Sequence, residues 1–188
     1  MSPHTLSIAL PPWVDDLVDW TRSYTTDEER MRLAISLATE NVARDAGGPF
    51  GAAIFEEETG RLISVGMNRV VPENNAILHA EILACMMAQQ RVGSYTLGAP
   101  GLPAHTLVSS CEPCAMCLGA TLWSGVRRLV CGATRDDAMQ ARFDEGPVFP
   151  ESYRYLEERG ISIVREVLRE EARAVLKRYA ASGEIYNG

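Results

Sequence analysis

The chain has 188 residues, which fits one catalytic domain, and 46% of them are hydrophobic, which suffices for a buried core. Its 18 basic and 25 acidic residues give a net charge of −7, so a polyanion such as nucleic acid is disfavoured as a partner. The amino terminus lacks a basic region followed by an apolar run, and no stretch of about eighteen apolar residues occurs. The sequence therefore predicts a cytoplasmic protein.

The first half of the chain predicts an extension, a helix and a hairpin. Residues 1–25 form an amino-terminal extension, expected to pack across a dimer or cover a pocket, and residues 26–188 form a single domain. Thr26 supplies the cap of a helix whose apolar positions recur at helical spacing and which ends at Gly47-Gly48. Strands at residues 50–55 and 62–67, joined by a turn at 58–60, predict the hairpin.

The second half alternates helices and strands. A helix is predicted at residues 80–88, a short strand at 106–109, and a further helix that begins at Cys114. Strands at 128–131 and 161–164 follow, with a polar, proline-containing loop between them. An amphipathic helix at 166–180 ends the chain, and no internal repeat or low-complexity segment occurs.

Two short motifs carry the chemistry: His79-Ala80-Glu81 and Pro113-Cys114-Ala115-Met116-Cys117. One imidazole and two thiolates, from His79, Cys114 and Cys117, fill three positions of a tetrahedral zinc ion and leave the fourth open for water. An open position is typical of catalytic zinc. Glu81 lies two residues from His79, so it sits beside the metal without ligating it and is the candidate proton carrier.

A closed structural zinc site and a redox Cys-x-x-Cys pair are the alternatives. A closed site needs a fourth ligand, and neither the other histidines, His4 and His105, nor Cys111 has a paired-knuckle spacing. A redox pair would not need the upstream His-x-Glu. The remaining cysteines are interpreted as buried small hydrophobes in a reducing compartment: Cys85, Cys111 and Cys131.

The two motifs together are the signature of the zinc deaminases. Further segments, spread over most of the chain, resemble the guanine deaminases of the cytidine-deaminase superfamily: Gly47-Gly48-Pro49-Phe50-Gly51-Ala52, Asn68-Arg69-Val70, Ser110-Cys111-Glu112-Pro113-Cys114, Trp123, and Phe143-Asp144-Glu145-Gly146-Pro147.

This resemblance implies an α/β fold, a three-layer α/β/α sandwich on a five-stranded mixed sheet. It implies a zinc-containing homodimer in which carboxy-terminal segments are exchanged. Glu145 would be a second catalytic acid that binds the exocyclic amine and moves protons. The implied substrate contacts are a stacking ring, an edge-binding amide, residues beside the metal ligands, a pocket wall and a closing aromatic: Phe50, Asn68, Ala80, Pro113, Trp123 and Tyr186.

Each substrate contact also has an ordinary structural interpretation. Phe50 fits the core of the first strand, Asn68 fits a turn, and Trp123 fits packing against the sheet. Asp144 and Glu145 fit a solvated loop. The Arg165, Arg169, Arg173 and Lys177 stripe, interleaved with acids, is interpreted as a solvated and salt-bridged helix face.

The predicted activity is hydrolytic deamination of guanine to xanthine and ammonia, with guanine-like aminotriazines as further substrates. Guanosine, cytosine or cytidine deamination and tRNA adenosine deamination are the alternatives within the enzymes, the last disfavoured by the acidic charge. The alternative that is not an enzyme is a zinc-stabilised domain without activity. Glu81 argues against it, because an inactive site needs no acid beside an open metal position.

Overall fold

The computed structural model describes residues 4–182 and 185–186. Their five strands form one sheet in the order β2-β1-β3-β4-β5. β1 pairs antiparallel with both β2 and β3, whereas β3, β4 and β5 are parallel, so the sheet is mixed as predicted. The strand bounds are β1 Gly51–Glu56, β2 Leu62–Met67, β3 His105–Cys111, β4 Arg128–Ala133 and β5 Ser162–Val164.

Helices cover both faces of this sheet and complete the three-layer α/β/α arrangement. α2 and α7 pack on one face, while α3, α4 and α6 lie on the other. The helix bounds are α1 Val14–Leu17, α2 Asp27–Ala43, α3 Ala80–Val92, α4 Ala115–Ser124, α5 Arg135–Gln140, α6 Pro150–Glu158 and α7 Arg169–Ser182.

Successive residues of β1 supply the two cores in turn. Ala53 and Phe55 belong to the core beneath α2 and α7, whereas Ala52 and Ile54 belong to the core beneath α3 and α4. Because side chains alternate across a strand, a strand covered on both faces is apolar throughout. The nearly continuous apolar run of β1 therefore follows from its position between two helical layers.

Helix α2 begins at the predicted cap. The Thr26 hydroxyl accepts the Glu29 backbone N–H, and the Glu29 carboxylate accepts the Thr26 N–H, which together form a capping box. Asp27 pairs with Arg128 through two 2.6 Å contacts and so joins the start of α2 to β4. The helix ends at Ala43, before Gly47-Gly48, which lie in the following loop.

The predicted loop between β4 and β5 was wrong, since this connection contains α5 and α6. Parallel neighbours need a crossover, and helices commonly provide it. Thr134 and Asp137 form a capping box at α5, and Pro150 occupies the first turn of α6. These starting signals are local and precede helices of only six and nine residues.

The last helix starts later than predicted. Glu166 and Leu168 have φ of 62° and 51°, in the left-handed region, so the helix cannot run through them and begins at Arg169. At the amino terminus, Val14, Val18 and Tyr24 are buried in the same core as α2. Part of residues 1–25 thus packs on the domain, while the domain boundary at residue 25 stays a prediction.

None of the helices in the described ranges combines the length and apolar character that crossing a membrane requires.

Candidate active site

Two helix starts bring the predicted metal ligands together. His79 is the N-cap of α3 and Cys114 the N-cap of α4, while Cys117 lies in the first turn of α4. The start of a helix carries free backbone N–H groups and the positive end of the macrodipole, which favour thiolate over thiol. The prediction that Cys114 opens a helix is confirmed.

The three ligand atoms have the spacing that zinc requires. His79 Nδ1 lies 3.5 Å from the Cys114 Sγ and 3.6 Å from the Cys117 Sγ, and all three atoms lie within 4.8 Å of one another. Tetrahedral bonds of about 2.0 Å to nitrogen and about 2.3 Å to sulfur place the two atoms about 3.5 Å apart. The residues present therefore fit a zinc ion with three protein ligands.

The surroundings of Cys114 favour its ligating form. A hydrogen bond with Cys117, followed by contact with the His79 ring, lowers the pKa of the Cys114 thiol to about 4 despite its burial. His79 experiences opposing influences: burial works to lower its pKa, but the Cys114 contact and the Glu81 charge together raise it. The charges of Cys114 and Glu81 and the protonation of His79 therefore depend on one another.

Glu81 is buried next to these ligands, in the first turn of α3. Its Oε1 accepts a 3.0 Å hydrogen bond from the Ser109 hydroxyl, and its Oε2 lies 3.3 Å from the Cys117 Sγ. Burial, and then the negative charge of Cys114, raise the pKa of the Glu81 carboxyl. A carboxyl with a raised pKa exchanges protons near neutral pH more readily than an exposed one.

The loop that carries Glu145 turns its acid inward. The Glu145 carbonyl accepts the Ala115 N–H at 3.0 Å, and the Gly146 carbonyl accepts a 3.2 Å bond from the Arg135 guanidinium. The Glu145 side chain is only 6% exposed, which excludes the solvated-loop interpretation. Burial, and then the negative charge of Cys114, raise its pKa to about 8, an effect that a bound cation would oppose.

One cavity unites the acids, the metal ligands and three aromatic rings. The Phe50 ring lies edge-on to Phe143 with centroids 4.9 Å apart, and Tyr186 meets Phe143 at 5.9 Å. Phe50 therefore packs against the core and also faces the cavity, so both interpretations of this residue describe the same position. The cavity is lined by Phe50, Asn68, His79, Glu81, Glu112, Cys114, Phe143, Asp144, Glu145 and Tyr186.

The zinc-ligand geometry agrees with a family comparison. The model of the cytidine and deoxycytidylate deaminase zinc-binding region matches residues 24–133, more than half of the chain.

The chain belongs to this deaminase family.

One curated relative and two solved structures extend this result. Guanine deaminase of Bacillus subtilis (strain 168) is 36% identical over 143 residues, which are 76% of this chain and 87% of that one. A structure of guanine deaminase from Nitrosomonas europaea is 46% identical with a TM-score of 0.90, over 94% of this chain and 97% of that chain. The structure of NE0047 in complex with 2,6-diaminopurine is 47% identical with a TM-score of 0.91, over 97% of each chain.

Three further residues that were predicted to contact the substrate are buried, but only one of them lines the cavity. Asn68 is 1% exposed; its Oδ1 accepts the Val70 N–H at 3.2 Å, which leaves the Nδ2 group to donate to a ligand. Ala80 and Pro113 are buried beside the metal ligands but are not among the cavity-lining residues. Their predicted roles are therefore restricted to backbone groups or to support of the ligands.

Trp123 does not line the site of its own chain. Its side chain is 73% exposed on the outer face of α4, and it is absent from the cavity. Nine residues of α-helix separate it from Cys114, about two and a half turns, which places the two on opposite sides of the helix. The prediction that Trp123 lines the pocket disagrees with this position.

Sequence reasoning missed two side chains that support the site. Glu112 lies at the cavity, where its carboxylate accepts the Arg135 N–H at 2.8 Å and pairs with Arg165 at 3.4 Å. Its place next to Pro113, inside the signature, is the signal that could have found it. Ser109 carried no signal, because one hydroxyl on a predicted strand has no recognisable spacing to Glu81.

Proposed function

We propose that this deaminase hydrolyses guanine to xanthine and ammonia. The observation that carries the proposal is the pairing of two buried carboxyl groups, Glu81 and Glu145, in one aromatic-walled cavity beside the zinc ligands. A deamination needs one group to take a proton from water and a source of protons for the departing amine. The relatives named as guanine deaminases, and the NE0047 complex with an aminopurine, support the choice of base.

A zinc ion held by His79, Cys114 and Cys117 would supply Lewis acidity, which would make water more acidic at the open position. Glu81 removes a proton from the attacking water as the oxygen bonds to C2 of the base. The Ser109 hydroxyl holds Oε1 of Glu81, so the acid has a fixed orientation when it takes this proton. Glu81 then returns the proton to the ring nitrogen, which compensates the negative charge that forms there.

Glu145 acts at the amine. Its carboxylate accepts hydrogen bonds from the exocyclic amino group of the bound base. As the C2–N bond breaks, the hydroxyl formed on C2 gives up its remaining proton, and Glu145 passes that proton to the departing nitrogen. Ammonia leaves, and the oxygen gained from water remains on C2 as the xanthine carbonyl. The Ala115 backbone N–H donates to the Glu145 carbonyl and the Arg135 guanidinium donates to the Gly146 carbonyl, which together fix this acid relative to the metal ligands.

The cavity walls fit a flat aromatic base. Phe50 and Phe143 present ring surfaces on which a purine can stack. The Nδ2 group of Asn68 can donate to a ring acceptor such as O6 or N7 of guanine. An aminotriazine with the same amidine edge would use the same donors, and we propose it as a further substrate.

Transfer RNA is disfavoured by the charges of α7. Two of its basic side chains are engaged by acids: Arg169 pairs with Asp137 at 2.8 Å and with Glu166 at 2.8 Å, and Arg173 pairs with Asp137 at 3.2 Å. Binding to phosphates requires cations that can replace counterions on the backbone. The predicted salt-bridged helix face thus agrees with these contacts.

Ammonia release from zinc-loaded protein tests the substrate. The panel is guanine, guanosine, adenine, cytosine, cytidine and an amino-hydroxy-triazine. We expect turnover of guanine and the triazine alone. Turnover of a pyrimidine or a nucleoside with guanine inert would keep the zinc chemistry and overturn the proposed base, whereas zinc without any turnover would favour the inactive scaffold.

We also propose that the protein is a homodimer with α4 at its interface. This helix has no charged residue, and its outer side is partly or well exposed at Met116, Gly119, Ala120 and Trp123. Two large side chains with small ones between them can interlock with a second copy about a two-fold axis. Trp123→Glu should give a monomer by light scattering, and an unchanged dimer would contradict the α4 interface.

Exchange of carboxy-terminal segments is not needed for Tyr186 to reach a site. Tyr186 lies in the cavity of its own chain, against Phe143 and over Gly48. The exchange of carboxy-terminal segments between two protomers stays a prediction. The cytoplasm is the proposed location, since all five cysteines are free thiols, which fits a reducing compartment.

A further inference from the structure

Asn41 is a fully buried polar residue near the end of α2, with 0% of its surface exposed. It is absent from the cavity lining and cannot touch a bound base. Its Nδ2 group donates to the Gly48 carbonyl at 2.9 Å and to the Asn68 carbonyl at 2.8 Å. Burial of a side-chain amide is unfavourable unless its hydrogen bonds are made, so these two bonds account for its position.

The two carbonyls belong to the two segments that present the base contacts. Gly48 stands two residues before Phe50, and the other carbonyl is that of Asn68 itself. The Asn68 N–H donates in turn to the Phe50 carbonyl at 3.0 Å, which joins the segments directly. One amide group from α2 thus holds both segments at the point where they enter the cavity.

Gly47 shows how closely these parts approach. Its φ of +144° lies in a region that L side chains rarely adopt, and an added Cβ would collide with the Asn68 carbonyl and approach the Asn41 Nδ2 to 2.9 Å. The loop at Gly47 is therefore tightly packed against the Asn41 amide. A side chain at position 47 would displace the Asn68 carbonyl or the Asn41 amide.

We propose that Asn41 is a positioning residue for base recognition, which sets the relative placement of the Phe50 ring and the Asn68 amide. The Oδ1 of Asn41 is buried and finds no hydrogen-bond partner among the described residues, so the donor half of the amide carries the role. Aspartate has no such donors, serine has one, and alanine has none. The inference rests on the proposed function only in taking a planar base as the ligand.

The test is binding without turnover, in a Glu81→Gln background loaded with zinc. Guanine affinity is measured by calorimetry for this protein and for it combined with Asn41→Ala or Asn41→Ser. Thr39→Val is the matched control, because Thr39 lies on the same helix and its hydroxyl donates only to the Ile35 carbonyl at 2.8 Å. Zinc content and circular dichroism confirm that each variant is loaded and folded.

We expect Asn41→Ala to weaken guanine binding at least about tenfold, because both segments lose their tether, and Asn41→Ser to weaken it less. Thr39→Val should leave affinity unchanged. With Glu81 restored, the Asn41 variants should raise KM more than they lower kcat, whereas a purely structural defect would reduce the active fraction and leave KM unchanged. Affinity and KM of Asn41→Ser within twofold of the control would overturn the proposal, even where Asn41→Ala does not fold.

Failure of the proposed function has a different result. If the Glu81→Gln protein does not bind guanine at all, guanine recognition is wrong, and the same Asn41 comparison is made with the base that the wild-type protein deaminates. Weaker binding of that base by the Asn41 variants supports the positioning role independently of guanine, and equal binding contradicts it.

Discussion

The Ser109 hydroxyl donates a 3.0 Å hydrogen bond to Oε1 of Glu81, and both groups are buried. Ser109 lies on β3 and Glu81 on α3, so this bond joins the sheet to the proposed proton carrier. Because Oε1 is held from the strand side, the other oxygen is oriented towards the metal ligands, where it lies 3.3 Å from the Cys117 Sγ.

Ser109→Ala should therefore slow catalysis without removing zinc. We expect kcat to fall about tenfold, the effect of one buried hydrogen bond, with a smaller change in KM. Steady-state kinetics with guanine and zinc analysis provide the check. Ser64→Ala is the control, since its buried hydroxyl donates to the Ala84 carbonyl, and parity of the two variants would remove the role given to Ser109.

Glu145→Gln should lower kcat by at least about a hundredfold, because an amide cannot deliver a proton to the departing amine. Zinc content and thermal stability should stay close to wild type, since the loop keeps its backbone hydrogen bonds to Ala115 and Arg135. The exposed Glu151 on α6 supplies the control variant, Glu151→Gln. Unchanged kinetics of Glu145→Gln would mean that the buried acid takes no part in the reaction.

Cys117→Ala should abolish retention of zinc through desalting and lower the melting temperature of the protein as prepared. Two ligands bind zinc far more weakly than three, and a metal that binds only the folded chain stabilises it. Cys131→Ala, at an equally buried thiol of β4, should keep the metal. Zinc retention by Cys117→Ala would contradict the ligand set.

Lowering the pH should remove the contribution that Asp137 makes to the free energy of unfolding. A hydrogen bond from Arg169 lowers the pKa of Asp137 from 3.8 to about 2 in the folded protein. Since the folded pKa is depressed, the stabilisation is present above about pH 4 and is lost as the pH falls through about 2. Asp137→Asn should cost about 2 kcal/mol near neutral pH through its lost ion pair and capping interaction.

Urea unfolding at pH 7 and at pH 3 measures this effect. The gap in unfolding free energy between wild type and Asp137→Asn should narrow at the lower pH. Glu170→Gln serves as control, because its carboxylate pairs with Arg173 from a side chain that is 78% exposed. An Asp137→Asn gap of the same size at both values would contradict the pKa argument.

The sequence predicted the features that leave a pattern in neighbouring residues. The hairpin of β1 and β2 followed from apolar runs and a turn, and His79, Cys114 and Cys117 followed from spacing that coordination chemistry requires. The family resemblance supplied Glu145, but its position in the fold depends on contacts with residues far along the chain, such as Ala115. The spacing of apolar residues along the chain does not reveal such contacts.

Other positions illustrate the same limit. The helices α5 and α6 are only six and nine residues long, so each offers little sequence from which to predict it. The pocket position of Trp123 came from the family resemblance alone, whereas nine residues of helix after Cys114 place it on the opposite side of α4. Asn41 had an ordinary place in a helix pattern, and only the tertiary approach of Gly48 and Asn68 gives it a role.

We propose that this chain deaminates guanine with zinc and uses Glu81 as the proton carrier. The decisive experiment compares the conversion of guanine to xanthine by wild type and by Glu81→Gln, each with its zinc content measured. We predict xanthine and one equivalent of ammonia from wild type, and a Glu81→Gln protein that holds zinc but turns over at least about a hundredfold more slowly. Near-wild-type turnover by zinc-loaded Glu81→Gln, or no xanthine from the wild-type protein, would contradict it.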